Sequence, residues 1–300
     1  MAQVPQRQYA ETIRDLEAFD AYLTSLRLRS APHRLRRMIA KLREIEKARV
    51  QGTLASLDTR PDVVELVWSA VEAQEFAGIF HGICDYDPAT VKSLMQKALK
   101  GPPHPLQETS DRSNLGRNIT FELHLGAALR RAGATVALGQ RADLCIDHGG
   151  AHVYVECKRP FSEHGIRRNI KRARTQLQQR FSSDPHPVTL GLVAISVSKA
   201  LNPGSNMFLV DNPESLLSLT DDVQRLHRLY GSDYDRLVDL RLIGVLYHVF
   251  TPALVKTSGL VAASHFEIFL HTPSMQVNFP ISDGQPLKDL LLRALRGSNA

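Results

Sequence analysis

Hydrophobic residues in the first hundred positions recur every three or four residues. Two such sets are Ile13, Leu16, Phe19, Leu23 and Leu26, and Leu35, Met38, Ile39, Leu42 and Ile45. This spacing predicts two helices, and similar patterns predict helices over Val63–Phe80 and Ala89–Leu99. The breaker-rich segment Gly101–Pro105 then ends the pattern. We therefore predict an all-helical N-terminal domain over residues 1–105 and a second domain over residues 106–300.

Beyond residue 105 the period of the hydrophobic pattern changes repeatedly. A helix is predicted over Leu115–Arg131, and short alternating segments predict strands over Ala134–Leu138, Ala142–His148 and His152–Lys158. A helix near Glu163–Phe181 and an apolar strand over Val188–Val197 follow. After Pro203 the pattern is weaker and predicts a helix near Pro213–Tyr230, strands over Leu240–Phe250 and His265–His271, and a helix over Pro286–Leu295. This order predicts an α/β fold with a mixed central sheet flanked by helices.

The amino-acid composition indicates the general class of protein. The chain is 43% hydrophobic and 23% charged, which is typical of a globular fold and not of a disordered or fibrous one. The longest apolar run, Val188–Val197, is too short to span a bilayer, and no signal-peptide core follows Met1. Three cysteines without a CxxC pair argue against a disulfide framework and against a zinc site. We expect a soluble, intracellular, cytoplasmic protein that does not act on membranes.

The most informative segment is a pair of alternating strands around Gly149-Gly150. Two glycines between such strands predict a two-residue hairpin turn. The numbers of cross-strand partners then sum to 299, as those of Asp143 and Glu156 do. Because side chains alternate along a strand, Lys158 points to the same face as these carboxylates. The opposite face is predicted to be apolar and to consist of Ala142, Leu144, Ile146, Val153, Val155 and Cys157.

Two facing carboxylates repel each other unless a positive group lies between them. A hard divalent cation such as Mg²⁺ prefers carboxylate oxygens and would remove this repulsion. Lys158 could then hold an anionic substrate or help a metal-bound water to lose its proton. The alternative interpretation is a surface hairpin whose charges form a cross-strand salt-bridge cluster, a common feature of sheets.

The segment Val155-Glu156-Cys157-Lys158, with Asp143 on the preceding strand and Glu122 in the helix before it, resembles the PD-(D/E)XK nuclease superfamily. Members of that superfamily have the restriction-endonuclease-like fold and mostly cut DNA with Mg²⁺. The resemblance covers roughly residues 115–200. It departs from the motif at Ala142, which stands in place of the proline that gives the motif its name.

The resemblance implies roles for individual residues. Asp143 and Glu156 would be metal ligands, and the carbonyl of Cys157 would complete the metal site. Glu122 would orient the site or bind a second metal, and Gln176 matches a polar residue that some branches carry on the following helix. The implied cofactor is Mg²⁺, with Mn²⁺ as a substitute.

Lys158 would be the catalytic lysine of this set. A carboxylate-held Mg²⁺ neutralises charge on a phosphodiester and lowers the pKa of its bound water. The ordinary pKa of a lysine, about 10.4, is too high for a general base. We therefore expect Lys158 to act as a cation that positions water and stabilises the transition state.

Basic side chains cover one side of the predicted helix after the motif: Arg167, Arg168, Lys171, Arg172 and Arg174. Beside a metal site this surface would contact phosphates without reading sequence, and a merely solvated helix is the alternative. A second basic cluster, between Arg27 and Arg49, could dock a duplex, bind an acidic partner or simply solvate a long helix.

Together these features predict a Mg²⁺-dependent hydrolase, most simply an endonuclease that acts on double-stranded DNA. The alternative is a catalytically inactive subunit of the same fold that binds nucleic acid or serves in assembly. RNA stays open as a substrate because no feature is directed at a 2′-hydroxyl. The protein could act as a homodimer, which the sequence does not decide.

Overall fold

The structure is a computed structural model. It describes residues 9–28, 32–57, 59–100, 102, 105–108, 115–139, 142–148, 150–186, 188–235, 241–255, 259–270 and 287–297. Four helices come first: α1 (Tyr9–Ser25), α2 (Pro32–Val50), α3 (Val63–Ile83) and α4 (Pro88–Ala98). The next four elements are α5 (Leu115–Arg131), β1 (Thr135–Leu138), β2 (Leu144–His148) and β3 (Ala151–Lys158).

The remaining elements are four helices and four strands. They are α6 (Gly165–Ser183), β4 (Thr189–Ser196), α7 (Ser198–Leu201), β5 (Phe208–Val210), α8 (Ser218–Asp235), β6 (Leu242–Val255), β7 (Gly259–Leu270) and α9 (Leu287–Gly297). The predicted class is confirmed: the fold is α/β, with a mixed sheet flanked by helices and preceded by helices. The short elements α7 and β5 are not visible in the hydrophobic pattern, and β6 and β7 are longer than predicted. The predicted ends at His271 and Pro286 lie outside the described residues.

The described strands form one sheet in the order β1-β2-β3-β4-β6-β5, with β7 paired to β6. β1, β2 and β3 are antiparallel, whereas β4 is parallel to both β3 and β6. β7 pairs with β6 from Gly244 to Val255 and so occupies one whole edge of that strand. β4 and the short β5 therefore share its other edge, one after the other along the strand.

Two hydrophobic cores cover the two faces of the sheet. On one face, Ile146 and Val153 pack into a cluster that extends to α1–α5 and α9. On the other face, Tyr154 and Ile195 pack against the apolar stripe of α6 and against α8. That stripe consists of Ile166, Ile170, Ala173, Leu177 and Phe181, spaced three or four residues apart as on one side of a helix.

The first core is continuous between the N-terminal helices and the sheet. α3 and α5 approach so closely that a Cβ atom added at Gly82 would lie 2.3 Å from the Cβ of Ala127. Real side chains do not approach each other this closely, so the contact depends on glycine at this position. The predicted division of the chain at residue 105 stays a prediction about folding units, since one packed core contains residues from both sides of it.

Candidate active site

The β2–β3 hairpin has the predicted register. The paired residues run from Leu144 opposite Val155 to His148 opposite Ala151, so the partner numbers sum to 299 throughout. Gly150 has a φ of +76°, a left-handed conformation that glycine adopts without strain. The other turn residue, Gly149, lies outside the described residues. Lys158 therefore ends β3 on the same side as Glu156, as the alternation requires.

The prediction that Ala142 belongs to the apolar face beside Leu144 is wrong. β2 begins at Leu144, and residues 142 and 143 form a bend before it. Alternation of side chains ends where the strand ends, so Ala142 packs instead in the cluster of Tyr154 on the α6 side of the sheet. Cys157 and the other four predicted residues of this set do lie in the opposite core.

Asp143 is nevertheless held where the prediction requires it. Its Oδ2 accepts a hydrogen bond of 2.7 Å from the backbone N–H of Cys157, which fixes the carboxylate across the hairpin. Cys157 itself is 5% exposed, and burial raises the pKa of its thiol. The Cys157 side chain thus packs in the hydrophobic core, while its backbone N–H contacts the carboxylate of Asp143.

Lys158 connects the three oxygen donors of the candidate site. Its Nζ lies 3.0 Å from Oε2 of Glu156, 3.0 Å from the carbonyl oxygen of Cys157 and 3.4 Å from Oδ2 of Asp143. The Glu156 side chain is 1% exposed and that of Lys158 is 11% exposed. The Asp143 side chain is 27% exposed, so the cluster is partly buried rather than a fully exposed cross-strand salt bridge.

Negative charge exceeds positive charge at this position. Burial and the nearby Asp143 raise the pKa of Glu156 above its ordinary value. Burial, Asp143 and Glu156 likewise raise the pKa of Glu122 on α5 to about 8, although Lys158 opposes the shift. The structure therefore brings Glu122 into the electrostatic field of the hairpin residues. Carboxyl groups this strongly perturbed are typical of functional sites.

The ammonium of Lys158 is well stabilised in its charged form. Burial alone would lower its pKa, but Asp143 and Glu156 outweigh burial and raise it. A lysine whose pKa is raised is a poor general base. Lys158 can therefore contribute a positive charge and hydrogen-bond donors to a reaction.

The residues present fit a hard divalent cation by donor type. Within the described ranges, no three His, Cys, Asp or Glu side chains are grouped as a metal site. The candidate ligands are instead two carboxylates, Asp143 and Glu156, and the Cys157 carbonyl, all of them oxygen donors of the kind that Mg²⁺ prefers. They already surround one cation, the ammonium of Lys158. Oε1 of Glu156 is buried and accepts no hydrogen bond within the described structure, so it has a lone pair to offer.

Gln176 lies on α6, the helix that packs against β3. Its Oε1 is buried and makes no hydrogen bond to the part of the chain that the structure describes. One turn further along, Nε of Arg180 lies 3.9 Å from Oε1 of Glu156. Arg180 is not among the predicted site residues, although its spacing of four from Gln176 places both on one side of the helix.

The basic residues of α6 divide into two groups. Arg167, Arg168, Lys171 and Arg172 are exposed, whereas Arg174 is half-buried. The guanidinium of Arg167 lies over the ring of Tyr230, 6.0 Å from its centre. α6 contains no acidic residue, so these charges are not neutralised within the helix.

The second basic cluster, on α2, is largely neutralised. Its cations pair with acidic residues: Arg36 with Asp20, Arg37 with Glu65, Lys41 with Asp62, Arg43 with Glu17 and Arg49 with Glu46. Most of these partners come from α1 or from α3 and the residue preceding it, which the sequence pattern does not place near α2. This favours the solvated-helix interpretation over a docking surface.

Comparisons of the chain with protein-family models, with curated proteins and with solved structures found no match. Membership in the nuclease superfamily therefore stays a prediction from the resemblance of the motif. None of the described helices is both long enough and apolar enough to cross a membrane.

Proposed function

We propose that the protein is a divalent-metal-dependent nuclease with the restriction-endonuclease-like fold, which hydrolyses phosphodiester bonds in double-stranded DNA. The observation that carries this proposal is the partly buried set of Asp143, Glu156 and Lys158 beside Glu122. Three carboxyl groups lie near Lys158, and two of them have raised pKa values although Arg180 also approaches Glu156. A divalent cation would relieve the repulsion between these carboxyl groups.

Two further observations support the proposal. The carboxylates stand at the end of β3, where a hairpin, a preceding helix and a following helix meet, as the resemblance implies. The acid-free helix α6 packs against β3 and presents exposed Lys171 and Arg172 to an approaching polyanion. Contacts of this kind hold phosphates without selecting a sequence.

In this mechanism Asp143, Glu156 and the Cys157 carbonyl would hold Mg²⁺ or Mn²⁺. When bound, such a metal polarises the phosphoryl oxygen and lowers the pKa of a coordinated water. Lys158, with its raised pKa, stays an ammonium and donates hydrogen bonds to charge that develops at the phosphate. Arg180 supplies a further positive charge beside Glu156. Glu122 has a pKa of about 8, so it can hold a proton at neutral pH on the α5 side of the site.

The test is incubation of the protein with supercoiled plasmid, linear duplex, single strands and RNA, each with Mg²⁺, Mn²⁺ or EDTA. We expect cleavage of duplex DNA with either metal and none with EDTA. Lys158→Ala should abolish cleavage and leave DNA affinity within a few fold, because the ammonium acts on the bound substrate. Lys47→Ala, which removes an exposed lysine on α2, should cleave as the wild type does.

If the wild-type protein binds duplex DNA but leaves every substrate intact with both metals, the proposal that it is a nuclease is contradicted. That result would favour the binding or assembly subunit, in which Lys158 stays in contact with the two carboxylates and no metal replaces it. Plasmid nicking without degradation from ends would identify endonuclease action, and cleavage confined to RNA would correct the substrate.

A further inference from the structure

A small cavity lies at the carboxyl ends of the parallel strands β3 and β4, beside the middle of β6. It measures about 40 Å³, and its walls include Trp68, Glu75, Arg117, Arg159, Lys199 and Phe250. By the rule that one water needs at least about 10–15 Å³, this is room for about three waters or for the oxygens of one small oxyanion. In open α/β sheets, ligands commonly bind outside the carboxyl ends of the strands.

The residues in and around this cavity bury more positive than negative charge. The described cations are Arg34, Arg117, Arg159 and Lys199, and the described carboxyl groups are Glu72, Glu75 and Glu108. Glu72 pairs with Arg34 and Arg117, and Glu108 pairs with Arg117 and Arg159. These pairs leave one lysine and one glutamate without a counter-ion. Uncompensated buried charge is costly, so each of the two needs an explanation.

Lys199 is a buried ammonium without a carboxylate partner. Lys199 is 4% exposed, and among the described residues its Nζ forms hydrogen bonds only with carbonyl oxygens and no salt bridge. Its Nζ donates to the carbonyl oxygens of Pro105, at 3.0 Å, and of Pro203, at 2.9 Å. An ammonium has three N–H donors, and these neutral acceptors use two of them. Its Nζ also lies over the ring of Phe161, 5.5 Å from the centre, so its partners are two carbonyls and an aromatic face and include no directly bonded anion.

Glu75 is the second unexplained group. It is 8% exposed and makes no hydrogen bond or ion pair with the described residues. Burial and the neighbouring Glu72 raise its pKa to about 7, while Arg117, Arg159 and Arg34 oppose the shift. At a slightly acidic pH Glu75 is therefore neutral, and the excess of buried cations increases.

We propose that this cavity binds a phosphate group, through Lys199, Arg117 and Arg159, with Glu75 as an acceptor or donor for a phosphate hydroxyl. The ligand chemistry is that of a phosphate monoester or of free phosphate. Arg159, which lines the cavity, directly follows Lys158 in the chain. If the proposed nuclease function holds, the bound phosphate group would be the terminal phosphate of a nucleic acid. Only this identification of the ligand rests on the proposed function; the phosphate site itself does not.

The test is calorimetric titration of the protein with inorganic phosphate and with sulfate. We expect binding by the wild type, and Lys199→Met should weaken it about tenfold or more, because a charge-assisted donor is lost. Lys47→Met, an exposed lysine on α2, should bind as the wild type does. Oligonucleotides with a 5′-phosphate, a 3′-phosphate or only hydroxyl ends then separate free phosphate from a nucleic-acid end. Stronger binding of one phosphorylated end identifies that end.

Glu75→Gln keeps the shape of the side chain and is a second variant should Lys199→Met fail to fold. The groups that act on Glu75 are Glu72 on its own helix, Arg34 on α2, Arg117 on α5 and Arg159 after β3. His248 also lines the cavity, and burial keeps its pKa well below the ordinary value. Wild-type affinity for sulfate, whose charge is constant here, should fall several-fold from pH 6 to pH 8. Glu75→Gln should remove most of that dependence.

The outcomes separate this proposal from the proposed function. Absence of phosphate and sulfate binding by the wild type overturns the phosphate site, even if DNA is cleaved. So does binding that neither Lys199→Met nor Glu75→Gln alters. The protein could also bind phosphate through these residues and cleave no nucleic acid. That result would support the phosphate site and contradict the proposed nuclease function.

Discussion

The ammonium of Lys158 lies 3.0 Å from a carboxylate oxygen of Glu156, a side chain that is 1% exposed. The same ammonium contacts the Cys157 carbonyl and Asp143, so it contacts all three of the oxygen donors that a metal would use. A divalent cation and the Lys158 ammonium therefore compete for one set of oxygens. If the proposed metal binds to these oxygens, the ammonium has to move away from them.

Removal of this competitor gives the first prediction. Lys158→Ala should bind Mn²⁺ more tightly than the wild type, since three oxygens are freed and a like charge is lost. Asp143→Ala and Glu156→Ala should lose Mn²⁺ binding. Calorimetry or the paramagnetic signal of free Mn²⁺ measures this without substrate, and Lys47→Ala is the matched control. Mn²⁺ affinity that survives both carboxylate substitutions would place the metal elsewhere.

The raised pKa of Glu122 makes stability depend on pH. A carboxyl whose pKa rises on folding binds more protons in the folded state, so its stabilising contribution is full below about pH 4.5 and is lost as the pH rises through about 8. In EDTA, Glu122→Gln should therefore gain stability relative to the wild type between pH 5 and pH 9. Urea unfolding across this range measures the difference.

The exposed Glu214→Gln is the control for loss of one carboxylate. An equal difference between wild type and Glu122→Gln at every pH would show that Glu122 is not perturbed by its neighbours.

DNA binding should depend on α6 and not on α2. The double variant Lys171→Ala/Arg172→Ala should bind duplex DNA more weakly at any sequence, and each lost phosphate contact should reduce the log-log salt slope by about 0.9. Arg36→Ala/Arg43→Ala removes the same charge where Asp20 and Glu17 already neutralise it, and should leave the slope unchanged. An unchanged slope in the α6 variant would make this helix an ordinary solvated surface.

The buried ion pairs of Arg117 give a prediction about stability. Arg117→Met leaves Glu72 and Glu108 with one cation fewer in a buried environment, and breaking such pairs costs about 3–5 kcal/mol of the free energy of unfolding. Arg36→Met breaks a pair whose arginine is 57% exposed and should cost less than about 1 kcal/mol. Urea unfolding of both variants gives the comparison. Equal losses would mean that the buried network contributes no more than a surface pair.

The hairpin could be predicted from the sequence because its determinants are local. Gly149-Gly150 sets the turn, alternation sets the faces, and the observed register follows from these alone. The bend at Ala142 was missed, since nothing in the alternation signals that β2 begins only at Leu144. The sequence shows which positions are polar, but it does not show where the hydrogen bonds between β2 and β3 end.

Contacts between distant segments were beyond the sequence pattern. Arg34 pairs with Glu72, 38 residues away, and the indole of Trp68 donates to the carbonyl of Ser205, 137 residues away. Alone, each of these residues resembles a surface charge or an ordinary core aromatic. Their pairing depends on how α3 lies against the sheet, which periodicity does not specify.

The close approach of Gly82 and Ala127 has a mechanical consequence. Because the α3 and α5 backbones touch there, a side chain larger than hydrogen at position 82 would act as a wedge and displace α5. Glu122 lies on α5 five residues before Ala127, so that displacement would carry its carboxyl relative to Asp143 and Glu156, which are fixed to the sheet. Packing of α3 against α5 thus helps to fix the position of the Glu122 carboxyl relative to the sheet.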